Sequence, residues 1–409
     1  MNSETMTCRA DAESLDAADP LASFRRRYLR QADDVVAYLD GNSLGRPLAS
    51  IAEAWSDLAH HQWAGRLIRG WSEGWMDLPE VVGNELAAAA LGAAAGQTVI
   101  ADSTTVNLYK AIRAALNLRP GRSKVLIDRD NFPTNRYVVE SLVRDLGLRA
   151  VWLTGTDPGA GISVEDVQSA VDEDTAVVTL SHIAYRSGYL ADAQAITAAA
   201  HAVGAMVVWD LCHSVGTVPI SLDDWGVDFA VGCTYKFVGA GPGAPAFCYV
   251  NSQHHDQLDQ PIWGWLGRRD SFEMEQGYVP APGIRSMLSG TPAIPGILAV
   301  REGAKVIAEA GIDAIRAKGT ALTGMALSLA DEWLTPAGFD VASPRNPTQR
   351  GGHLSITRSD ARDLCEQLVA NGVLADFRTP DAIRLGLSPL PTSFAEVWDA
   401  MVVITDISR

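Results

Sequence analysis

Between residues 98 and 250 the chain alternates short apolar runs with helical patterns, and no other feature restricts its fold as much. The runs lie at 98–101, 124–127, 150–153, 176–180, 205–209, 229–232 and 246–250. Helical patterns fall between them at 106–116, 136–146, 163–171 and 192–203. Short continuous apolar runs suit strands buried on both faces. Their alternation with helices predicts an α/β fold: a mostly parallel sheet covered by helices on both sides.

The flanking segments read differently. Residues 1–35 form an N-terminal arm or helix, largely polar over 16–30. Tyr38-Leu-Asp-Gly-Asn-Ser-Leu-Gly45 reads as a short strand and turn, and 51–65 as a helix. Residues 251–290, rich in Gly, Pro and Trp, read as a long functional loop region. A long helix is expected over 295–310, and the tail from about 320 to 409 as helix, strand, helix, strand, helix. Three parts follow: an arm over 1–50 that belongs to a smaller domain, a large domain over 51–294, and a C-terminal small α/β domain over 295–409.

In open parallel sheets ligands sit beyond the carboxyl ends of the strands, and polar residues gather at those ends. Asp102-Ser-Thr-Thr-Val-Asn107 follows the first run and opens a helix, where hydroxyls and backbone N–H groups suit either a phosphate or an ordinary N-cap. Asn131-Phe-Pro-Thr-Asn135 follows the second; Phe132 is suited to lie on a planar ring, or the segment is a simple Pro turn. Ser181-His182 ends the run at 176–180, where a histidine is more often structural than catalytic. Asp210 and His213 end the next run. A carboxylate there keeps a ring nitrogen protonated by charge pairing, or caps a helix. Tyr235 and Lys236 follow the run at 229–232 and precede the loop Gly239-Ala-Gly-Pro-Gly243.

An aspartate to pair a pyridinium, followed by a lysine able to form a Schiff base, is the minimal equipment of a pyridoxal-phosphate (PLP) enzyme. Arg384 interrupts an apolar strand in Ala382-Ile-Arg-Leu-Gly-Leu-Ser388, as a bidentate clamp for a substrate carboxylate would, or as half of a structural ion pair. Trp63, Trp71, Trp75 and Trp263 could line an aromatic substrate pocket or pack at an interface.

The net charge of -16 argues against nucleic-acid binding through a general basic surface. No apolar stretch is long enough to span a membrane, and no secretory signal is visible in the first 25 residues. Five scattered cysteines form no CxxC pair and no metal spacing, which fits reduced thiols in a cytoplasm. No metal is expected. The Gly239–Gly243 run does not join a first strand to a first helix, so it is not a dinucleotide fingerprint.

Taken together, these motifs resemble the kynureninase family of PLP enzymes, whose fold is that of aspartate aminotransferase (fold type I, class V-like). The resemblance runs nearly end to end. It is carried by Tyr38–Gly45, Gly74-Trp-Met-Asp-Leu-Pro79, Asp102–Asn107, Phe132-Pro-Thr134, Tyr185-Arg-Ser-Gly188, Trp209-Asp-Leu-Cys-His-Ser214, Asp224–Lys236, Gly241–Phe247, Gly264-Trp-Leu-Gly267 and Phe377-Arg-Thr-Pro-Asp381. It implies that Lys236 binds the cofactor covalently, that Asp210 pairs the pyridine nitrogen with His213 beside it, and that Phe132 and Asn135 lie by the ring. Thr104, Thr105, Ser181 and Tyr235 would line the cofactor and its phosphate, which Trp265 and Thr291 would reach from the other subunit of a homodimer with composite sites. Lys236, Tyr235 and Asp210 would be catalytic. On the substrate side it points to Arg384 for the α-carboxylate, with Asn42, Trp71 and Arg268.

Three positions depart from the family pattern. Asn135 stands where members typically have Asp, Phe237-Val-Gly239 where they have Tyr-Leu-Asn, and Arg268 where most have His. The cofactor half is largely kept while the substrate half has changed. Two reactions on an L-amino acid therefore stay open: hydrolysis of L-kynurenine to anthranilate and L-alanine, or a biosynthetic variant. The variant would perform C–S β-elimination, or decarboxylation with oxidative deamination, on a cysteine conjugate.

Overall fold

A computed structural model describes residues 8–29, 31–155 and 161–409. The first seven residues of the expected arm, and Arg30, lie outside the described residues. The strands, in chain order, are β1 (Ala37–Tyr38), β2 (Thr98–Ile100), β3 (Lys124–Asp128), β4 (Arg149–Leu153), β5 (Thr175–Ser181), β6 (Met206–Asp210), β7 (Phe229–Gly232), β8 (Phe247–Val250), β9 (Asp340–Val341), β10 (His353–Thr357), β11 (Val373–Leu374), β12 (Asp376–Arg378) and β13 (Ala382–Gly386).

Seven of them form one sheet in the order β2-β8-β7-β6-β5-β3-β4. Neighbours from β7 to β4 are parallel, and β8 runs against both β7 and β2. The ends of β2, β3, β5, β6 and β7 therefore share one edge. Alternate side chains go to opposite faces. Val178, Val207 and Trp209 enter one apolar cluster, while Val177, Val208 and Val231 enter another on the far side. Both faces are dry, which is why these strands read as unbroken apolar runs rather than alternating ones.

The helices Thr104–Asn117, Pro133–Leu146, Val164–Ala170 and Ala193–Ala202 match the expected positions to within a few residues. The helix expected over 51–65 does not run through. It is α-helical at Ala49–Asp57, widens to a π-turn at Leu58–Trp63 and ends in 3-10 geometry at Leu67–Trp71. The 251–290 region is likewise not bare loop: it carries 3-10 turns at Ser252–Gln257, Trp265–Gly267 and Gly283–Met287.

A second sheet, β12-β13-β10-β9, is antiparallel throughout and lies in the C-terminal part. Its Leu354, Ile356, Ile383 and Leu385 share a separate core with the helices Ile312–Leu329 and Phe394–Ile407. The tail thus holds more strands than its apolar pattern suggested, because several are only two or three residues long. The N-terminal helix Arg9–Ala18 joins this part: Asp16 accepts from the N–H groups of Phe394 and Ala395 at 3.0 Å, capping the last helix. β1 pairs with β11 and carries the chain back to the large sheet.

Candidate active site

The shared edge of the large sheet brings together every residue expected to line the cofactor from within one chain. Thr104, Thr105, Phe132, Asn135, Ser181, Asp210, His213, Tyr235 and Lys236 line one cavity of about 150 Å³. Thr134, Ile183, Tyr185 and Cys212 complete its wall. Thr134 and Tyr185 sit in motifs already singled out, Phe132-Pro-Thr134 and Tyr185-Arg-Ser-Gly188, but no residue-type argument gave them a role.

Register explains the convergence. Ser181 and Asp210 are direct partners on β5 and β6, and Asp210 faces Val231 on β7. Lys236 lies four residues past the end of β7, its Nζ 6.0 Å from the Phe132 ring centre and 5.9 Å from that of Tyr235. The loop that carries it turns back through Gly239, whose N–H donates to the Lys236 carbonyl and whose φ of +74° suits glycine. The Tyr38–Gly45 turn closes on the same loop: Gly45 N–H donates to the Tyr235 carbonyl at 2.8 Å. A Cβ at position 45 would lie 2.2 Å from the Lys236 carbonyl oxygen, so only glycine allows this approach.

Asp210 is buried and oriented by two donors. Its Oδ1 accepts from Cys212 N–H at 2.9 Å, and its Oδ2 from Asn135 Nδ2 at 2.8 Å, with Ser181 Oγ at 3.5 Å. A carboxylate has about four acceptor positions, so capacity for a further donor remains. His213 is buried; burial, with the positive Lys236 and Arg384, pushes its pKa well below the ordinary histidine value. Its ring is neutral at pH 7, edge-on to the equally buried His353 at 5.5 Å, and its Nδ1 has no partner. Burial pushes the Tyr235 phenol up, so it is held protonated. His182 is packed edge-on to Trp209 and Trp225, and burial lowers it to about 3. It is structural through ring contact; its Nδ1 finds no hydrogen-bond partner.

These residues fit pyridoxal phosphate. The cavity is lined by an amine, an anchored carboxylate, a neutral imidazole and an aromatic ring. It also holds the first residues of the helix Thr104–Asn117, whose N–H groups favour a phosphate. Ser103 caps the helix as well, accepting from Val106 N–H at 3.4 Å, so capping and anion binding coexist.

The substrate-side candidates are dispersed. Arg384 is buried on β13, directly across from Asp376 on β12. Its Nε donates to Asp376 Oδ1 at 2.8 Å and its Nη2 to Asp376 Oδ2. Nη1 donates to the Tyr185 carbonyl at 2.7 Å, and Nη2 also to Ser43 Oγ at 3.2 Å. The bidentate face expected for a substrate carboxylate is thus taken by Asp376, leaving one Nη1 hydrogen. Asn42, with its carboxamide oxygen toward the guanidinium, accepts from the same arginine at 3.2 and 3.3 Å. Asp40 shares this cluster; burial, then Asp376, raises it to about 6.

Arg268 is far from a lone positive charge: it pairs with Glu273 at 2.9 Å and Glu275 at 3.7 Å on its own loop. Trp71, with Trp63 and Trp75, lines a separate apolar groove closed by Pro292 and Ile294. Trp263 is not in that groove but stacks on Tyr278 at 4.7 Å. Thr291 lines a further cavity that shares Thr104 and Tyr235 with the first, and Trp265 packs edge-on to Phe272. Among the described residues no cluster of three or more His, Cys, Asp or Glu could hold a metal, and no helix is long and apolar enough to cross a membrane.

A family model described as the kynureninase C-terminal domain matches residues 315–404. The kynureninase of Pseudomonas fluorescens is 40% identical over 408 residues, covering 98% of this chain and 96% of that protein. That of Deinococcus radiodurans is 39% identical over 404 residues, covering 97% and 96%. Among solved structures, an apo cysteine desulfurase from Thermococcus onnurineus superposes with a TM-score of 0.82 at 18% identity, covering 94% of this chain and 97% of that one. A C-DES variant with glycine covalently linked to its PLP cofactor gives 0.80 at 16%, covering 90% and 96%. At such identities the structural likeness speaks for the fold, which is that of fold type I PLP enzymes.

Proposed function

The chain belongs to the kynureninase family of PLP-dependent enzymes, and from that membership we propose that it hydrolyses L-kynurenine to anthranilate and L-alanine. One observation carries the reading: the amine of Lys236, the carboxylate of Asp210 and the ring of Phe132 border a single cavity, in a chain similar to kynureninases along almost all its length. The alternative C–S cleavage of a cysteine conjugate has no comparable support. The cysteine desulfurases it would resemble share only the fold.

Bound pyridoxal phosphate supplies an electron sink for the charge left at the substrate α-carbon. Lys236 Nζ would hold the cofactor aldehyde and, when free, would carry the substrate α-proton. Asp210 would receive the pyridine N–H on the acceptor capacity that Asn135 and Cys212 leave open, keeping that nitrogen protonated. Neutral His213 would lie beside the ring without competing for charge. Phe132 would cover a ring face, while Ser181 and Asn135 would line its polar edge. Thr104 and Thr105 would bind the phosphate at the helix N-terminus. Tyr235, held protonated by burial, suits a proton donor better than a base, and would return a proton to the carbon freed when water cleaves the Cβ–Cγ bond. Arg384 would hold the substrate carboxylate through its remaining Nη1 hydrogen, with Asn42 fixing the guanidinium plane.

The reading includes a homodimer. Trp71, Trp265, Thr291 and Arg268 lie outside the Lys236 cavity of their own chain, and Trp63, Leu67 and Ile68 leave 59–77% of their area exposed in one apolar groove. A second subunit would cover such a surface and deliver those side chains to its neighbour's site. A large cofactor domain over 51–294 and a small domain built from 1–50 and 295–409, working in the cytoplasm, complete the proposal.

The test is release of anthranilate, followed by its fluorescence, from L-kynurenine by the PLP-loaded enzyme. Turnover is expected. No anthranilate, with rapid breakdown of an S-substituted cysteine, would replace the proposed reaction with the C–S one.

A further inference from the structure

Behind the cavity a chain of hydrogen bonds leads from the end of β3 to Asp210, and its far member, Asn131, has no part in the mechanism above. Asn131, 3% exposed, follows β3 and donates from Nδ2 to Asp128 Oδ2 at 2.7 Å. Its Oδ1 collects three donors: Phe132 N–H at 2.8 Å, Asn135 Nδ2 at 2.9 Å and Ser181 Oγ at 3.0 Å. Asn135, also 3% exposed, uses the same Nδ2 to reach Asp210 Oδ2 at 2.8 Å.

This chain has a direction. The two ends of a carboxamide are nearly alike in shape but opposite in hydrogen bonding. Asn131 cannot turn over, because the Phe132 N–H is fixed by the backbone and needs an acceptor while Asp128 offers one on the other side. With the Asn131 oxygen so fixed, Asn135 must present its NH2 group to it. The second hydrogen of that group then points at Asp210. Reversed, Asn135 would set its own oxygen against the Asn131 oxygen and the Asp210 carboxylate, a buried contact between acceptors with no donor between them.

We infer that Asn131 is a positioning residue for the cofactor: acting through Asn135, it fixes the donor that holds Asp210 as an anion aimed at the pyridine nitrogen. The inference rests on the proposed PLP chemistry. Without that donor Asp210 loses one of the hydrogen bonds that orient it, pairs less squarely with the pyridine nitrogen, and leaves the ring less positive. A less positive ring makes the lysine-linked imine more basic, so the pH midpoint of its visible absorbance band rises.

The experiment titrates that band in the PLP-loaded wild type, in Asn131→Leu, in Asn135→Leu and in the double variant. Asn131→Ala serves if the leucine variant does not fold. PLP affinity is measured by equilibrium dialysis and thermal stability by calorimetry. Expected are an upward shift of about half a pH unit or more in Asn131→Leu, several-fold weaker PLP binding, and no further shift in the double variant, since both changes break one path. In turnover, kcat should fall about tenfold with KM nearly unchanged. An unshifted midpoint with lowered thermal stability would reduce Asn131 to a packing role and overturn the inference, as would independent, additive shifts. A wild type with no visible band after PLP is added would instead sink the cofactor reading itself.

Discussion

Asp210 and Arg384 are both buried charges on strands, yet their surroundings differ in kind. Asp210 ends β6 at the rim of a cavity, held by a backbone N–H and an amide, with acceptor capacity to spare. Arg384 sits within β13 among Asp376, Ser43, Asn42 and the Tyr185 carbonyl, with nearly every N–H engaged. One group is prepared by sheet geometry before any ligand arrives. The other is a balanced cluster whose N–H groups are nearly all engaged by the protein itself. Parallel strand ends supply fixed, outward-facing positions; a cross-strand ion pair supplies charge that is already neutralised. The Lys236 cavity is therefore lined by pre-set side chains of one chain, while Arg384 is held by partners it already has.

The comparison can be broken most forcefully at the prepared end. Lys236→Ala should lower kcat by about a thousandfold or more and abolish the lysine-linked absorbance band, while the protein still folds. A variant that kept the band would show that another amine serves.

Arg384→Met tests the balanced end. It leaves Asp376 with Arg378 as its remaining cation. Removing one partner of a buried pair typically costs about 3–5 kcal/mol, and this case should fall at the lower end. Urea unfolding reports the stability and steady-state kinetics the substrate role, with KM rising at least tenfold. A stable variant with unchanged KM would mean that Arg384 neither holds the cluster nor meets substrate.

His353, on β10 between the two regions, gives a pH test. Burial, with Arg384 as the next cause, lowers it from 6.5 to about 3. The unfolded chain then binds a proton that the folded chain refuses, so the contribution is intact above pH 6.5 and stability is lost as pH falls from there toward 3. Asp40 and Asp128, raised to about 6 and about 7 chiefly by burial, titrate in the opposite sense. The informative quantity is accordingly the change in slope. His353→Gln should flatten stability against pH by about one proton, roughly 1.4 kcal/mol per pH unit, between pH 4.5 and 5.5 in urea titrations. An unchanged slope would place the proton elsewhere.

The smallest effect is expected at Arg268. Its partners Glu273 and Glu275 are exposed, so Arg268→Ala should alter stability by less than about 1 kcal/mol in thermal melts. A larger loss would assign the loop a structural role that its ion pairs do not suggest.

Much of this was legible in the sequence because burial on both faces leaves an unmistakable trace. Strands such as β5 and β6 are continuous apolar runs that stop at a polar residue, and those stops, Ser181 and Asp210, line the Lys236 cavity. The π-turn at Leu58–Trp63 had no such trace, since a widened turn keeps helical composition. Nor did the two-residue strands β9 and β11, which are too short to show a period. Partners were the harder part. Asp376 opposite Arg384 is set by antiparallel register, and the orientation of Asn131 by a backbone N–H, neither of which residue type reveals. Trp71 and Arg268 read as site residues, but their own chain keeps them away from Lys236.

The most direct measurement is borohydride reduction of the PLP-loaded enzyme, followed by peptide mapping by mass spectrometry. A single reduced pyridoxyl group is expected, on the peptide that contains Lys236. Modification of a different lysine, or of none, would contradict it.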